Sequence, residues 1–232
     1  MGKVNRPQGS NTGILLIDKE THTPSFHLVA LLRRLTRVQK IGHAGTLDPF
    51  ATGVMVLLIG SEYTKKSDSF LSCDKQYRAS LTLGIATDTY DLEGQVTSRS
   101  DLIPSLHQIQ LALAPFNGDI LQTPPMFSAK KIQGKKLYEL ARKGISIARQ
   151  PALIHLQIQL LRYDYPHVEI LVDCSKGTYV RSLAHDIGQV LGCGAHLSTL
   201  TRTRSGTFTL AECIPQSYLK HPECDLTPHL RT

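Results

Sequence analysis

Three runs of alternating hydrophobicity restrict the fold more than any other feature of this chain. Tyr77, Ala79, Leu81, Leu83 and Ile85 alternate with Arg78, Ser80, Thr82 and Gly84. Ile154, Leu156, Ile158 and Leu160 repeat the pattern, as do Val168, Ile170, Val172 and Cys174. Successive strand side chains point to opposite faces, so each run predicts a strand with one buried face. Such strands suit antiparallel or mixed sheets better than the buried parallel sheets of strict β-α-β repeats. Gly13–Asp18 (GILLID) and Val54–Ile59 are continuously apolar and read as buried strands, and Tyr165-Pro166 reads as a turn.

Helical spacing appears between these runs. Leu28, Leu31, Leu32, Leu35 and Val38 share one face of a helix that starts at Pro24-Ser25, with Ser25 as its N-cap. Arg33, Arg37 and Lys40 share the other face, either as a solvated surface or as a basic stripe. A short helical pattern spans Ser105 to Leu113. Another fits Thr178 to Val190, with Val180, Leu183, Ala184 and Ile187 inward and Gly192 as its stop. The predicted class is α+β, a mixed, mostly antiparallel sheet flanked by helices and loops. No repeat or linker is visible, so a single domain over 1–232 is expected.

The 41% hydrophobic content of the 232 residues suffices for a packed core. The formal charge of +7 favours an acidic partner. Between Lys130 and Arg149 stand Lys130, Lys131, Lys135, Lys136, Arg142, Lys143 and Arg149 against Glu139 alone, nearly the whole surplus. A concentrated basic segment is a phosphate-binding candidate. Tyr138 within it either stacks on a base or pins the segment to the core. Val54–Ile59 is far short of the roughly 18 residues of a membrane span. The opening MGKVNRPQGSNT lacks a secretory apolar stretch, and Arg6 stands where a myristoylation signal wants Ser or Thr. Five scattered cysteines without a C-x-x-C pair suit reduced thiols. A cytoplasmic protein with no membrane contact is expected.

Phosphate-loop, nucleophile-elbow and zinc-protease motifs are absent from the sequence. Cys193 and His196, with Cys174 and Cys213, make a poor zinc set, and Asp88, Asp91 and Glu93 miss calcium-loop spacing. No metal is expected. The unusual segment is Gly42-His43-Ala44-Gly45-Thr46-Leu47-Asp48-Pro49. Its glycines open backbone shapes closed to other residues, and Pro49 biases Asp48 toward an extended conformation. Asp48 is then either a positioned nucleophile or base, or a turn cap. A catalytic carboxylate needs a cation to keep it ionised. Arg181 is the candidate, because a first-turn arginine opposes the helix dipole and is placed there against local preference. Spacing does not establish their pairing.

These residues resemble the TruB-type tRNA pseudouridine synthases. The similarity runs in family order through GILLIDK, RRLTRVQKIGHAGTLDPFATGVMVLLIG, KQYRASLTLGIATDTYDLEG, QTPPMFSAKKIQGKKLYELARKG, SKGTYVRSLAHDIGQVLG and AHLSTLTRTRSGTF, covering nearly everything from Gly13 to Phe208. The resemblance implies the pseudouridine synthase fold. It also implies isomerisation of uridine 55 in the T-loop of tRNA, without cofactor or metal; a monomer with no obligate protein partner is the default expectation. By the same resemblance Asp48 is the nucleophile, Arg181 its ionic partner, and Tyr77 the residue stacked on the flipped base. His43 would fill space in the T-loop, Tyr179 and Leu200 would line the uridine pocket, Lys19 would support the site, and Asp91 would contact RNA. The basic stretch lies within an RNA-gripping insertion at about 122–150. Extruding a base costs a few kcal/mol, recovered in part by sandwiching it between flat or apolar walls.

Two departures stand out. Lys19 is followed by Glu20-Thr21-His22-Thr23-Pro24-Ser25 where the family usually reads P-x-G-x-[ST]-S, which questions the role of Lys19. The family's further C-terminal RNA-binding module is not expected before Thr232, which predicts weaker tRNA affinity with catalysis retained. Rival readings are a non-catalytic RNA-binding or tRNA-folding chaperone, and a metal-dependent nuclease built on Asp48, Asp88 and Asp91.

Overall fold

The fold is that of a computed structural model, which describes residues 11–132, 134–221 and 223–232. The first ten residues, which carry most of the leader and acylation readings, lie outside the described residues. In chain order the elements are β1 (Gly13–Lys19), α1 (Ser25–Thr36), β2 (Ile41–His43), β3 (Thr52–Ile59), α2 (Ser61–Lys65), α3 (Ser67–Leu71) and β4 (Lys75–Leu83). There follow β5 (Ile85–Thr87), β6 (Val96–Arg99), α4 (Leu106–Leu113), β7 (Gly118–Gln122), β8 (Lys131–Ile132), β9 (Lys135–Lys136) and α5 (Leu137–Ala141). The last are β10 (Ala152–Asp164), β11 (His167–Cys174), α6 (Val180–Leu191), β12 (Ala195–Ser205), β13 (Phe208–Thr209) and β14 (Ile214–Pro215). They gather into two compact units, residues 1–73 with 201–232, and residues 74–200.

In the first unit β1 lies between β14, parallel to it, and β3, antiparallel to it from Gly13↔Ile59 to Lys19↔Gly53. β3 also pairs with β2 and, in parallel, with Thr201 and Arg202 of β12. Both faces of β1 and β3 are covered, which explains their unbroken apolar runs. Ile14, Leu16, Val54, Val56 and Leu58 pack with Ala44 and Tyr63, while Leu15, Ile17, Met55, Leu57 and Ile59 are buried on the other side. Helix α1 ends sooner than its charge pattern suggests. Arg37 is its left-handed C-cap, with φ 61°, so Arg37 and Lys40 do not extend a helical stripe. Arg33 instead donates from Nε to the Gln39 carbonyl at 3.0 Å and ties the turn.

In the second unit β11 lies between β4 and β10, and β7 forms the far edge of β10, all antiparallel. Here alternation is obeyed. Ala79, Leu81, Ile154, Leu156, Val168, Ile170 and Val172 are buried with Ile109 of α4 and Leu183, Ala184 and Ile187 of α6. The opposite face is wet, and Leu121 and Leu153, paired across β7 and β10, are each 70% exposed. The alternating run from Tyr77 to Ile85 is two strands, because Gly84 at φ 82° breaks it after Leu83. Helix α6 starts two residues later than expected, with Tyr179 as N-cap, and ends at Gly192 in the left-handed conformation. Helix α4 carries a full capping box between Ser105 and Gln108. No described helix is long and apolar enough to cross a membrane.

Candidate active site

The segment from Gly42 to Ala51 has little secondary structure of its own, so its carbonyls need partners from elsewhere. They find them in side chains of the first unit. Lys19, 0% exposed at the end of β1, donates from Nζ to the carbonyls of Glu20, Pro49 and Ala51 at 2.9, 3.0 and 2.7 Å. Thr21 donates to the Phe50 carbonyl at 3.0 Å. Ser25 does not cap α1, whose N-cap is Pro24. Its buried hydroxyl instead donates to the Leu47 carbonyl at 2.8 Å and accepts from the Leu47 N–H at 3.0 Å. The peptides before and after half-buried Asp48 are therefore fixed by residues distant in sequence, as a positioned carboxylate requires.

Arg202 completes this framework, and sequence reasoning missed it. At 1% exposure it donates from Nε to the Val54 carbonyl at 2.7 Å and from a terminal nitrogen to the Gly45 carbonyl at 3.2 Å. Two glycines make room for it. A Cβ at Gly53, with φ 100°, would collide with the Arg202 backbone, and one at Gly45, with φ 105°, would press on the guanidinium at 3.4 Å. The available signal was its phase on β12, where Arg202 shares the inward alternation of Leu200. Burial, and then the Arg202 charge, lower the pKa of His43, whose ring nitrogen Nδ1 is buried without a hydrogen bond. A neutral imidazole is favoured there.

The Lys19 ammonium meets the Glu20 carbonyl, whereas the Glu20 carboxylate lies 3.5 Å from Gln216 Nε2 and 3.9 Å from Lys220 Nζ.

The second unit holds the other candidates. Tyr77 lies on β4 opposite Val172, half-buried and in phase with Ala79 and Leu81. Leu200 is buried on β12. Arg181, buried in the first turn of α6, donates to the Thr89 carbonyl at 3.2 Å and the Phe127 carbonyl at 2.7 Å, and lies 3.4 Å from Asp91. These acceptors offset the adverse helix dipole. Asp91 is 5% exposed, and its other carboxylate oxygen accepts from Thr89 Oγ1 at 2.6 Å and the Glu93 N–H at 3.1 Å. Those contacts tie Asp91 to Arg181 and to its own turn. The Tyr90 ring, in the same turn, stacks on His185 of α6 at 4.0 Å.

Asp88 accepts from the Gln95 N–H at 2.8 Å, Asp91 is committed as described, and His196 Nδ1 lies 2.9 Å from the Ile85 carbonyl. Burial raises the Cys174 thiol to about 11 and the Cys213 thiol to about 12, so both stay protonated at neutral pH. Among the described residues no three His, Cys, Asp or Glu side chains converge as a metal site. The basic segment forms the β8–β9 hairpin and α5, with Lys130, Lys131, Lys135, Arg142 and Lys143 exposed. Tyr138 is half-buried there beneath the Arg142 guanidinium, 5.4 Å from the ring centroid.

Comparison with known proteins adds an independent line. The family model described as TruB family pseudouridylate synthase, N-terminal domain, matches residues 33–180. That of the tRNA pseudouridylate synthase B C-terminal domain matches residues 181–223. The tRNA pseudouridine synthase B of Chlamydia pneumoniae is 54% identical over 219 residues, 94% of this chain and 93% of that protein. That of Protochlamydia amoebophila is 58% identical over 211 residues, 91% and 80% of the respective chains. Among solved structures, a chain of a Cbf5-Nop10-Gar1 complex matches 90% of this chain with a TM-score of 0.71 at 28% identity. A chain of an archaeal box H/ACA Nop10-Cbf5 complex matches 93% at 0.67 and 26%. This chain spans about half of each of those two neighbours, 54% and 55%.

Proposed function

The chain belongs to the TruB family of pseudouridylate synthases, and from that premise we propose that it isomerises uridine to pseudouridine in tRNA, at position 55 of the T-loop. The observation that carries the reading is the framework around Asp48, in which Lys19, Thr21, Ser25 and Arg202 fix the peptides on either side of one carboxylate.

In this reading the target base leaves the stack and is held by Tyr77, Tyr179 and Leu200, while His43, kept neutral, occupies space in the T-loop. Asp48 is the nucleophile, kept ionised by Arg181, and Asp91 orients that arginine through the 3.4 Å contact. The N1–C1′ bond breaks, C5 bonds to C1′, and the C5 proton leaves, with N1 protonated in the product. The atoms of the uridine are conserved and no electrons are exchanged with a donor, so the chemistry needs no redox cofactor. The exposed cations Lys130, Lys131, Lys135, Arg142 and Lys143 grip tRNA phosphates, a sequence-independent contribution that weakens with salt. The enzyme works as a cytoplasmic monomer without an obligate protein partner.

The test is incubation with an unmodified tRNA transcript tritiated at uridine C5, in EDTA, beside Asp48→Asn. Stoichiometric release by the wild type alone, mapped to position 55, is expected. Release only with Mg²⁺ and chain cleavage would favour the nuclease, and tight binding without release the tRNA-folding chaperone.

A further inference from the structure

The start of α6 carries Tyr179 and Arg181, yet its N-cap residue supplies no capping side chain. Four amide N–H groups at a helix start need outside partners or water. One partner comes from 57 residues earlier. Gln122, the last residue of β7, is 2% exposed. Its Oε1 accepts from the Tyr179 N–H at 2.8 Å, and its Nε2 donates to the Tyr179 carbonyl at 3.1 Å. That carbonyl also accepts from the Leu183 N–H at 3.1 Å, the helix's first turn.

A carboxamide bonded to both the N–H and the carbonyl of one residue imitates a neighbouring strand. It suits only an extended backbone, and Tyr179 has φ −112° and ψ 104°. The following residues extend the grip on α6. The Thr123 carbonyl accepts from Ser182 Oγ at 3.1 Å, and the Phe127 carbonyl accepts from Arg181 at 2.7 Å. Without the two bonds from Gln122, the extended backbone of Tyr179 is held less firmly at the start of α6, and with it the direction in which the Tyr179 ring leaves the chain.

We propose that Gln122 is a positioning residue for uridine isomerisation, acting through the backbone of Tyr179. The inference rests on the pocket and ionic roles given to Tyr179 and Arg181 above. It predicts that loss of Gln122 slows the bound reaction more than it weakens tRNA binding, since the two bonds lost go to Tyr179 and not to the tRNA-gripping cations.

Gln122→Met keeps the shape and loses both bonds, whereas Gln122→Glu keeps an acceptor for the Tyr179 N–H and loses the donor. Single-turnover tritium release at saturating enzyme, tRNA affinity by filter binding and thermal melting are measured on wild type and both variants. The expected result for Gln122→Met is a rate about 30- to 100-fold lower per folded molecule, with affinity within about threefold. Gln122→Glu is expected to lie between it and wild type. An active wild type beside a Gln122→Met enzyme within threefold of its rate overturns the inference alone, as does lost affinity with an unchanged saturated rate. Should Gln122→Met fail to fold, a wild-type rate in Gln122→Glu overturns it and a slowed rate supports it. A wild type that releases no tritium overturns the reading beneath, and the inference with it.

Discussion

Around Asp48, buried cations and hydroxyls seize peptide carbonyls, whereas at the start of α6, carbonyls and a carboxylate seize a cation, Arg181. In the first region the scaffold and the proposed reactive group are different atoms. Lys19, Thr21, Ser25 and Arg202 bond the backbone of Gly45, Leu47, Pro49, Phe50 and Ala51. In the second they coincide, because the Arg181 guanidinium is both the proposed ionic partner and the group that ties α6 to Thr89, Asp91 and Phe127. The contrast predicts that function is separable from fold in the first region and not in the second.

The largest effect should come from the separable region. Asp48→Asn is expected to lower the single-turnover rate by at least about 10⁴-fold while melting within a few degrees of wild type. A large drop in melting temperature would show that Asp48 is structural after all. Arg181→Met should lose turnover and also about 3–5 kcal/mol of stability in urea unfolding, because it strands the buried Asp91 carboxylate. Adding Asp91→Asn should return part of that stability but none of the turnover.

Smaller effects sharpen the contrast from the scaffold side. Lys19→Met should cost about 2–3 kcal/mol, less than three charge-assisted bonds would suggest, because methionine escapes dehydration of an ammonium. Its turnover should fall as well, through misplaced peptides at Pro49 and Ala51. Ser25→Ala should cost about 1–2 kcal/mol for the unpaired Leu47 peptide groups. The smallest is a pH effect. His43 has a lowered pKa in the folded chain, so its contribution to stability is present above the ordinary value of 6.5 and is lost as the pH falls from there through the lower folded value. Urea midpoints between pH 7.5 and 5.5 should decline less steeply in His43→Gln than in wild type.

Hydrophobic phase made β1, β3, β4, β10 and β11 legible, since burial of one face or two leaves a periodic trace, whereas β7 and β12 were not read from it. Gly192 and Ser105 worked as stop and start signals because helix termini have local chemistry. What stayed hidden was chemistry between distant positions. Ser25 carries the local mark of a cap, yet its hydroxyl serves Leu47, 22 residues away. Gln122 shows nothing in its neighbourhood to announce a contact 57 residues off, and the inward phase of Arg202 does not name a partner 157 residues away. The division into two units left no linker signature, because one boundary falls inside β12, between Leu200 and Thr201. Asp48 and Arg181 stood out for unusual local surroundings, a glycine-proline turn and an unfavourable helix end, and those oddities do not reveal partners.

The enclosure of Lys19 gives the protein a built-in clock. An amine-reactive reagent cannot touch an ammonium with no exposed surface, so acylation of Lys19 must wait for the Asp48 loop to lift away from it. With exposed lysines labelled first by a light reagent and Lys19 later by a heavy one, its slow isotopic uptake measures how often that loop opens in the native protein. Ligands that slow the uptake would be those that keep the loop closed.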